Sequence, residues 1–327
     1  MAALVLAACG GSNHADDATG DGGTEIDANP ITPPGVTCGA PVTPVDTSAP
    51  DHVIGDGVPA SCTESVLATA VAAGGKITFN CGASPTTIAI TTTLQLRTDV
   101  ATTLDGGNKI TLDGGGNTRI LSFDHPDYRV NQTVLTLQHL TLAHGRARGT
   151  LMYAPAPAPC SQGFYDGYGA ALFFRDGELV VIDTQFLANQ AESLGPDVGG
   201  GAISLLGVRS AIVASSVFQG NRGANGGAIS VLNAELDVYD SVFDGNVAEG
   251  NGANGDDASM CAVVADNGQH QTGSGGNGGA ISIDGGDDGT HTFCGVHFTN
   301  NTGGASALGG AVFRTPDRNR QITVIDR

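Results

Sequence analysis

The 327-residue chain has no tryptophan and only five tyrosines, and aromatic residues make up 5% of it. A core built around large rings is excluded. Hydrophobic residues still reach 40%, mostly Ala, Val, Ile and Leu, which suits thin strands around a narrow interior. Positive charge is equally scarce: 14 Lys plus Arg stand against 33 Asp plus Glu, a net charge of −19, and no Lys or Arg precedes Lys76. A nucleic acid needs a basic footprint, so none is expected as a partner. Acidic polysaccharides are repelled unless cations screen them. No apolar run approaches the roughly 18 residues of a spanning helix. No C-x-x-C occurs, which argues against a zinc site. The fifty glycines show no period of three, so collagen is excluded.

What is present is repetition. GGAIS stands at Gly200–Ser204, Gly226–Ser230 and Gly278–Ser282, and Phe-x-x-Asn at Phe186/Asn189, Phe218/Asn221, Phe243/Asn246 and Phe298/Asn301. Gly201 to Gly227 is 26 residues and Gly227 to Gly279 is 52, twice that. Such a period suits one turn of a stacked β architecture, three short strands with corners between them. Side-chain parity gives the facing. Leu179/Val181 with Phe186, Ala211/Val213 with Phe218, and Leu236/Val238 with Phe243 are assigned inward, with a flip of register at a corner between each pair and its Phe. The step of three in Phe-x-x-Asn flips parity again and puts the Asn at another corner, where it can bond to the backbone above and below. The small Gly-Gly-Ala lets the chain bend into the next strand. The expected fold class is therefore all-β, a right-handed parallel β-helix over 76–327 with an N-terminal cap over 38–75. Within that cap, Ser61 or Thr63 can start a short helix with Val66, Leu67, Ala70 and Val71 on one face, stopped by Gly74-Gly75.

GGAI plus Phe-x-x-Asn, repeated, resembles the repeat of chlamydial-type polymorphic outer membrane proteins. Copies, some degenerate, cover roughly residues 169–313. The resemblance implies a pectin-lyase-like β-helix passenger with a role in adhesion at the cell surface. Leu6-Ala7-Ala8-Cys9 resembles a bacterial lipobox, which implies cleavage before Cys9, lipid on its thiol, and attachment to the bacterial outer membrane without a spanning helix. Residues 1–9 then read as the remnant of a signal peptide whose start is clipped. Residues 10–37 are poor in apolar surface and read as a disordered tether. Near the other end, Ile322–Arg327 matches Leu179–Thr184 but lacks the Phe-x-x-Asn that should follow, so a truncated C-terminus is expected.

Six cysteines remain after Cys9: Cys38, Cys62, Cys81, Cys160, Cys261 and Cys294. An even number in an exported protein suggests disulfides. Cys62 and Cys81 flank the short helix and are the natural pair to pin it. Cys261 with Cys294 would fasten the longer of two insertions, Val247–Asn277; the other is Ala147–Tyr168, rich in Pro and aromatics. Repeat proteins often bind through such loops.

No catalytic constellation stands out. On a β-helix the acids of a lyase or glycosidase line an outward row, yet Val180/Ile182, Ile212/Ala214, Asp237/Tyr239 and Thr292/Cys294 are mostly apolar. That row reads as a face covered by a loop or a partner. His144-Gly145 with Arg146 and Arg148 is similar to pieces of polygalacturonases, but the accompanying Asn-x-Asp and Asp-Asp pieces are missing. Asp256-Asp257 and Asp287-Asp288 sit in Gly-rich loops and read as solvated acids, with loose Ca²⁺ binding as the alternative. The expected protein is a lipid-anchored monomer that binds a glycan or a surface protein through its loops and carries no cofactor. The alternative is a polysaccharide lyase or glycoside hydrolase, with its site within Thr86–His144.

Overall fold

The computed structural model describes residues 38–153, 160–252, 273–285 and 291–315, and the backbone of 322–325. Strands dominate. They form a 14-stranded sheet, a seven-stranded sheet and a two-stranded ladder, and every pairing between named strands is parallel. Among the described residues no helix is long and apolar enough to cross a membrane.

Consecutive copies of the repeat pair in register. Phe186, Phe218, Phe243 and Phe298 are aligned Cα partners along one ladder. Leu179, Ala211, Leu135 and their neighbours align along a second, which continues through Asp237–Tyr239, His291–Cys294 and Ile322–Ile325. The seven-stranded sheet joins Leu94–Gln95, Leu121–Asp124, Leu172–Arg175, Ile203–Leu206, Ile229–Leu232, Ile281–Asp284 and Val312–Thr315 in that order. The first two ladders count as one sheet because two long strands, Thr102–Asp113 and Val134–Ala143, belong to both. Thr102–Asp113 shifts register between Asp105 and Ile110, around Gly106-Gly107.

Left-handed residues make the corners. His139, Asp183, Ser215, Asp240 and Gly295 occupy equivalent positions and all have φ between 45° and 65°. The residue before each ladder asparagine does the same: Ala188, Gly220, Gly245 and Asn300. Asp, Asn and Gly bear this conformation at the lowest cost, which suits Asp183, Asp240 and Gly295 to the corner. In GGAI the second glycine answers to space. A methyl group on Gly227 would collide with the carbonyl oxygen of Gly279 and the backbone of Val247.

The interior is as narrow and aliphatic as the composition requires. Leu179, Val181, Ala211, Val213, Leu236, Val238, Ile203, Ile229 and Ile281 are 2% exposed or less, and so are Phe186, Phe218 and Phe243. The phenyl rings stack with centroids 4.7, 4.6 and 5.2 Å apart from Phe186 to Phe298, close to the roughly 4.8 Å between paired strands. At the N-terminal end the helix Glu64–Ala73 starts at Thr63, whose hydroxyl accepts from the Val66 amide, and stops at Gly74. It buries Leu67, Ala70 and Val71 against the first strands of both large sheets. Val66, expected on the same face, is 44% exposed. The Cys62–Cys81 disulfide pins this helix, as expected.

Residues 38–50 do something else. They form a strap laid along the outside of the first sheet, crossing its strands. The Cys38 amide donates to Asp240, the Val45 amide to Gln138 Oε1, Gln138 Nε2 back to the Val45 carbonyl, and Thr47 Oγ1 to Asp105 Oδ2. The Lys76 amide donates to Asp51 just beyond the strap. Cys38 forms a disulfide with Cys294, 256 residues away. The expected Cys261–Cys294 bridge is therefore wrong. Cys294 points outward on its strand, and the strap brings Cys38 to it from outside. Cys160 is also disulfide-bonded. The other described cysteines pair with one another, so its partner lies outside the described residues.

Candidate binding surface

The outward row left open by the sequence is Gln138, Ile182, Ala214, Tyr239 and Cys294, which are aligned partners on successive strands. The strap is what covers it. Ile182 and Ala214 are 7% and 4% exposed although they face away from the core. A polysaccharide groove would need this row open and acidic; here Ile182, Ala214 and Cys294 are apolar and buried. The corner acids beside it are engaged in structure. Asp240 accepts from Cys38, and Asp183 accepts from Asn108 Nδ2 at 3.1 Å.

Three histidine–aspartate pairs escaped the sequence reading: His139 with Asp105 at 3.0 Å, His144 with Asp113 at 3.1 Å, and His125 with Asp176 at 2.9 Å. Their partners lie 34, 31 and 51 residues apart, so only the stacking register could have revealed them. Asp176 is fully buried and also accepts from the Val130 and Asn131 amides. Burial opposes ionisation of Asp105, but hydrogen bonds from Thr47, Gln138, the Gly107 amide and His139 outweigh it and hold its pKa below the usual carboxylate range. These pairs fasten corners and loops. Arg146 serves the same end, donating to the Ala191 carbonyl at 3.0 Å. Among the described residues no group of three or more His, Cys, Asp or Glu is placed to hold a metal. Cys9, Cys261 and the Ca²⁺ candidates Asp256, Asp257, Asp287 and Asp288 lie outside the described residues.

The inserted segments meet on one flank. Residues 149–153 and 163–166 form a hairpin, with an antiparallel bridge between Met152 and Phe164 and hydrogen bonds from the Tyr153 amide to Gly163 and from the Tyr165 amide to Leu151. Asp166 ties its base, accepting from the Thr150 amide, the Thr150 hydroxyl and the Leu151 amide at 2.6–2.8 Å. The hairpin is fixed to the segment 190–199: the Phe164 amide donates to the Leu194 carbonyl, and the Gly149 amide to Glu192 Oε1. That segment in turn meets the second insertion, through the Gly195 amide on the Ser274 carbonyl, and Gln162 donates to the Gly273 carbonyl.

The wall so formed is aromatic in a chain that has few aromatics. Three of the five tyrosines, Tyr153, Tyr165 and Tyr168, stand in it with Phe164. Tyr153 and Tyr165 meet edge to face at 5.3 Å, and Tyr168 packs on Phe173 at 5.9 Å. The Arg119 guanidinium lies 5.4 Å from the Phe173 ring centre and donates to the carbonyls of Tyr168 and Gly169. Burial, with the charges of Asp197 and Asp166, pushes the Tyr168 phenol well above its usual range, so it stays neutral and donates to the Tyr165 carbonyl. Leu151 and Met152 at the hairpin are 49% and 63% exposed. An aromatic and apolar edge held by a hydrogen-bonded base is a surface for stacking and contact. No protein family, no curated protein and no solved structure matches the chain.

Proposed function

We propose that this chain is a right-handed parallel β-helix displayed at a bacterial surface, which binds a glycan or a surface protein through the wall built by residues 146–153, 160–168, 190–199 and 273–277. The three parallel ladders supply its walls, and each copy of GGAIS…Phe-x-x-Asn is one turn. The resemblance to polymorphic outer membrane protein repeats supports the surface role. The lipobox at Cys9 supplies an outer-membrane anchor, and residues 10–37 a tether. One observation carries the binding role: three of the five tyrosines are gathered on one flank, beside exposed Leu151 and Met152. The test is binding of the full chain to a panel of glycans and of surface extracts, compared with a Leu151→Ser/Met152→Ser/Tyr165→Ser variant. Binding that survives this triple change, with the fold intact, would reject the wall as the binding site.

A second reading keeps a sugar-cleaving enzyme within Thr86–His144. An opening of about 380 Å³ at the edge of that stretch is lined by Asn80 and Ser84 together with Asp105 and Lys109. Its carboxylate, Asp105, is already taken by four hydrogen bonds, which disfavours it as an acid or base. Release of sugar ends from polysaccharides, with and without Ca²⁺, would establish this reading in place of the first.

A further inference from the structure

The strap and the stack beneath it are held by different means. Strands inside the stack are bonded to neighbours on both sides and bury alternate side chains in the core. Of residues 39–50, none is buried. Their polar anchors in the sheet are Asp240, Gln138 and Asp105, at three separate strands, and three prolines (Pro41, Pro44, Pro50) keep the segment from joining a ladder. Between the anchors at Asp240 and Gln138 lie the aligned strands that carry Ala214 and Ile182, 4% and 7% exposed. A surface segment with so few bonds frays locally at low cost. Cys38–Cys294 closes its free end.

We propose that residues 38–50 are a covalently latched strap, released when a dithiol reductant opens Cys38–Cys294, while the stack stays folded. In the opening step a reductant thiolate attacks one sulfur of the bridge and displaces the other as a thiolate. The second thiol of the reductant then resolves the mixed disulfide. Two electrons pass to the protein, Cys38 and Cys294 end as protonated thiols, and the reductant leaves as a disulfide. Both cysteines are 5% exposed, so attack follows fraying of the Cys38 end. Cys62–Cys81 contrasts with this. It joins residues 19 apart that both belong to the hydrophobic core at the helix end, which Cys38 and Cys294 do not.

The latch fixes where residues 1–37 leave the molecule. Cys38 sits over the strand His291–Cys294, whereas Asp51 sits beside Lys76 on the strand Gly75–Phe79, six strand spacings away. At about 4.8 Å per spacing this is roughly 29 Å. Closed, the chain emerges at the end opposite the helix; open, it emerges near the helix. The meaning of this for display rests on residues 10–37 being a tether, but the latch itself does not.

The test uses the full chain, titrated with dithiothreitol, with free thiols mass-tagged and amide exchange followed in parallel. Cys38 and Cys294 should be tagged together at reductant levels that leave Cys62 and Cys81 untagged. The Val45 amide should exchange at least tenfold faster, while amides of Leu179–Val181 and Ala211–Val213 keep their protection. A Cys38→Ser/Cys294→Ser variant should show the same pattern without reductant. Unchanged protection of Val45 in that variant, or loss of strand protection together with the strap, would overturn the latch. Loss of wall binding would leave it untouched.

Discussion

Asn221 donates its side-chain amide to the side-chain oxygen of Asn246 at 2.9 Å, and the Asn246 oxygen also accepts from the Asn221 backbone amide at 3.0 Å. The unit repeats from Asn189 to Asn301, and each amide group further donates to the carbonyl of the Phe, or of its equivalent Leu142, one copy back. Asn189, Asn221 and Asn246 are fully buried. Each therefore satisfies corner backbone groups that water cannot reach.

Asn221→Ala should cost about 2–4 kcal/mol, because it orphans the Asn189 amide and the Phe186 carbonyl in a dry interior. Asn301→Ala, at the last copy of the ladder among the described residues and partly exposed, should cost about half as much. Urea midpoints of the two variants check the order.

Gly227 and Gly220 separate two reasons for glycine. Gly227→Ala drives a methyl into the neighbouring backbone and should cost about 2–4 kcal/mol. Gly220→Ala enters open space at φ 64°, a position that Ala188 already fills in the previous copy. It should cost about 1 kcal/mol. Equal thermal shifts for the two would refute the close-approach argument.

Much of this was legible. A period of 25–26 residues with two parity flips places the Phe and Asn columns and the inward aliphatic pairs without coordinates, because a stacked copy must repeat the shape of the one beneath it. The strap was not legible. CGAPVTPVDTSAP (38–50) has no period, and its partners lie 58, 93 and 256 residues away. Its trace was indirect: Ile182 and Ala214 are apolar on a side where a free strand face would be polar. The hairpin of the wall was equally hidden, since its register depends on Asp166 and on a neighbouring segment.

His291 gives the fold a pH dependence. It is 2% exposed and its Nδ1 accepts from the Leu236 amide at 3.2 Å. Burial lowers its pKa below 6.5, aided by Arg314 and opposed by the Leu236 carbonyl and Asp237. The folded chain thus keeps it neutral where the unfolded chain takes up a proton. Stability from this site is present above about pH 6.5 and is lost as the pH falls towards the folded value. Melting temperatures between about pH 7 and pH 5 should fall less steeply for His291→Asn than for the parent chain. Parallel slopes would dismiss the site.

Asp166→Ala should free the hairpin and leave the stack alone. The Thr150 and Leu151 amides lose their acceptor, so exchange at 149–153 should rise while the global unfolding free energy from urea titration changes by about 1 kcal/mol or less. A shift as large as that of Asn221→Ala would mean that the wall is part of the core.

The account stands on copies laid in register, one strand spacing apart. Leu187, Gln219, Asp244 and Thr299 are aligned partners on successive strands, on the side away from the phenylalanines. Spin labels at Leu187 and at each of the other three in turn should report separations that grow in even steps of about 4.8 Å along the series. Equal separations, or an order that does not follow Gln219, Asp244, Thr299, would contradict it.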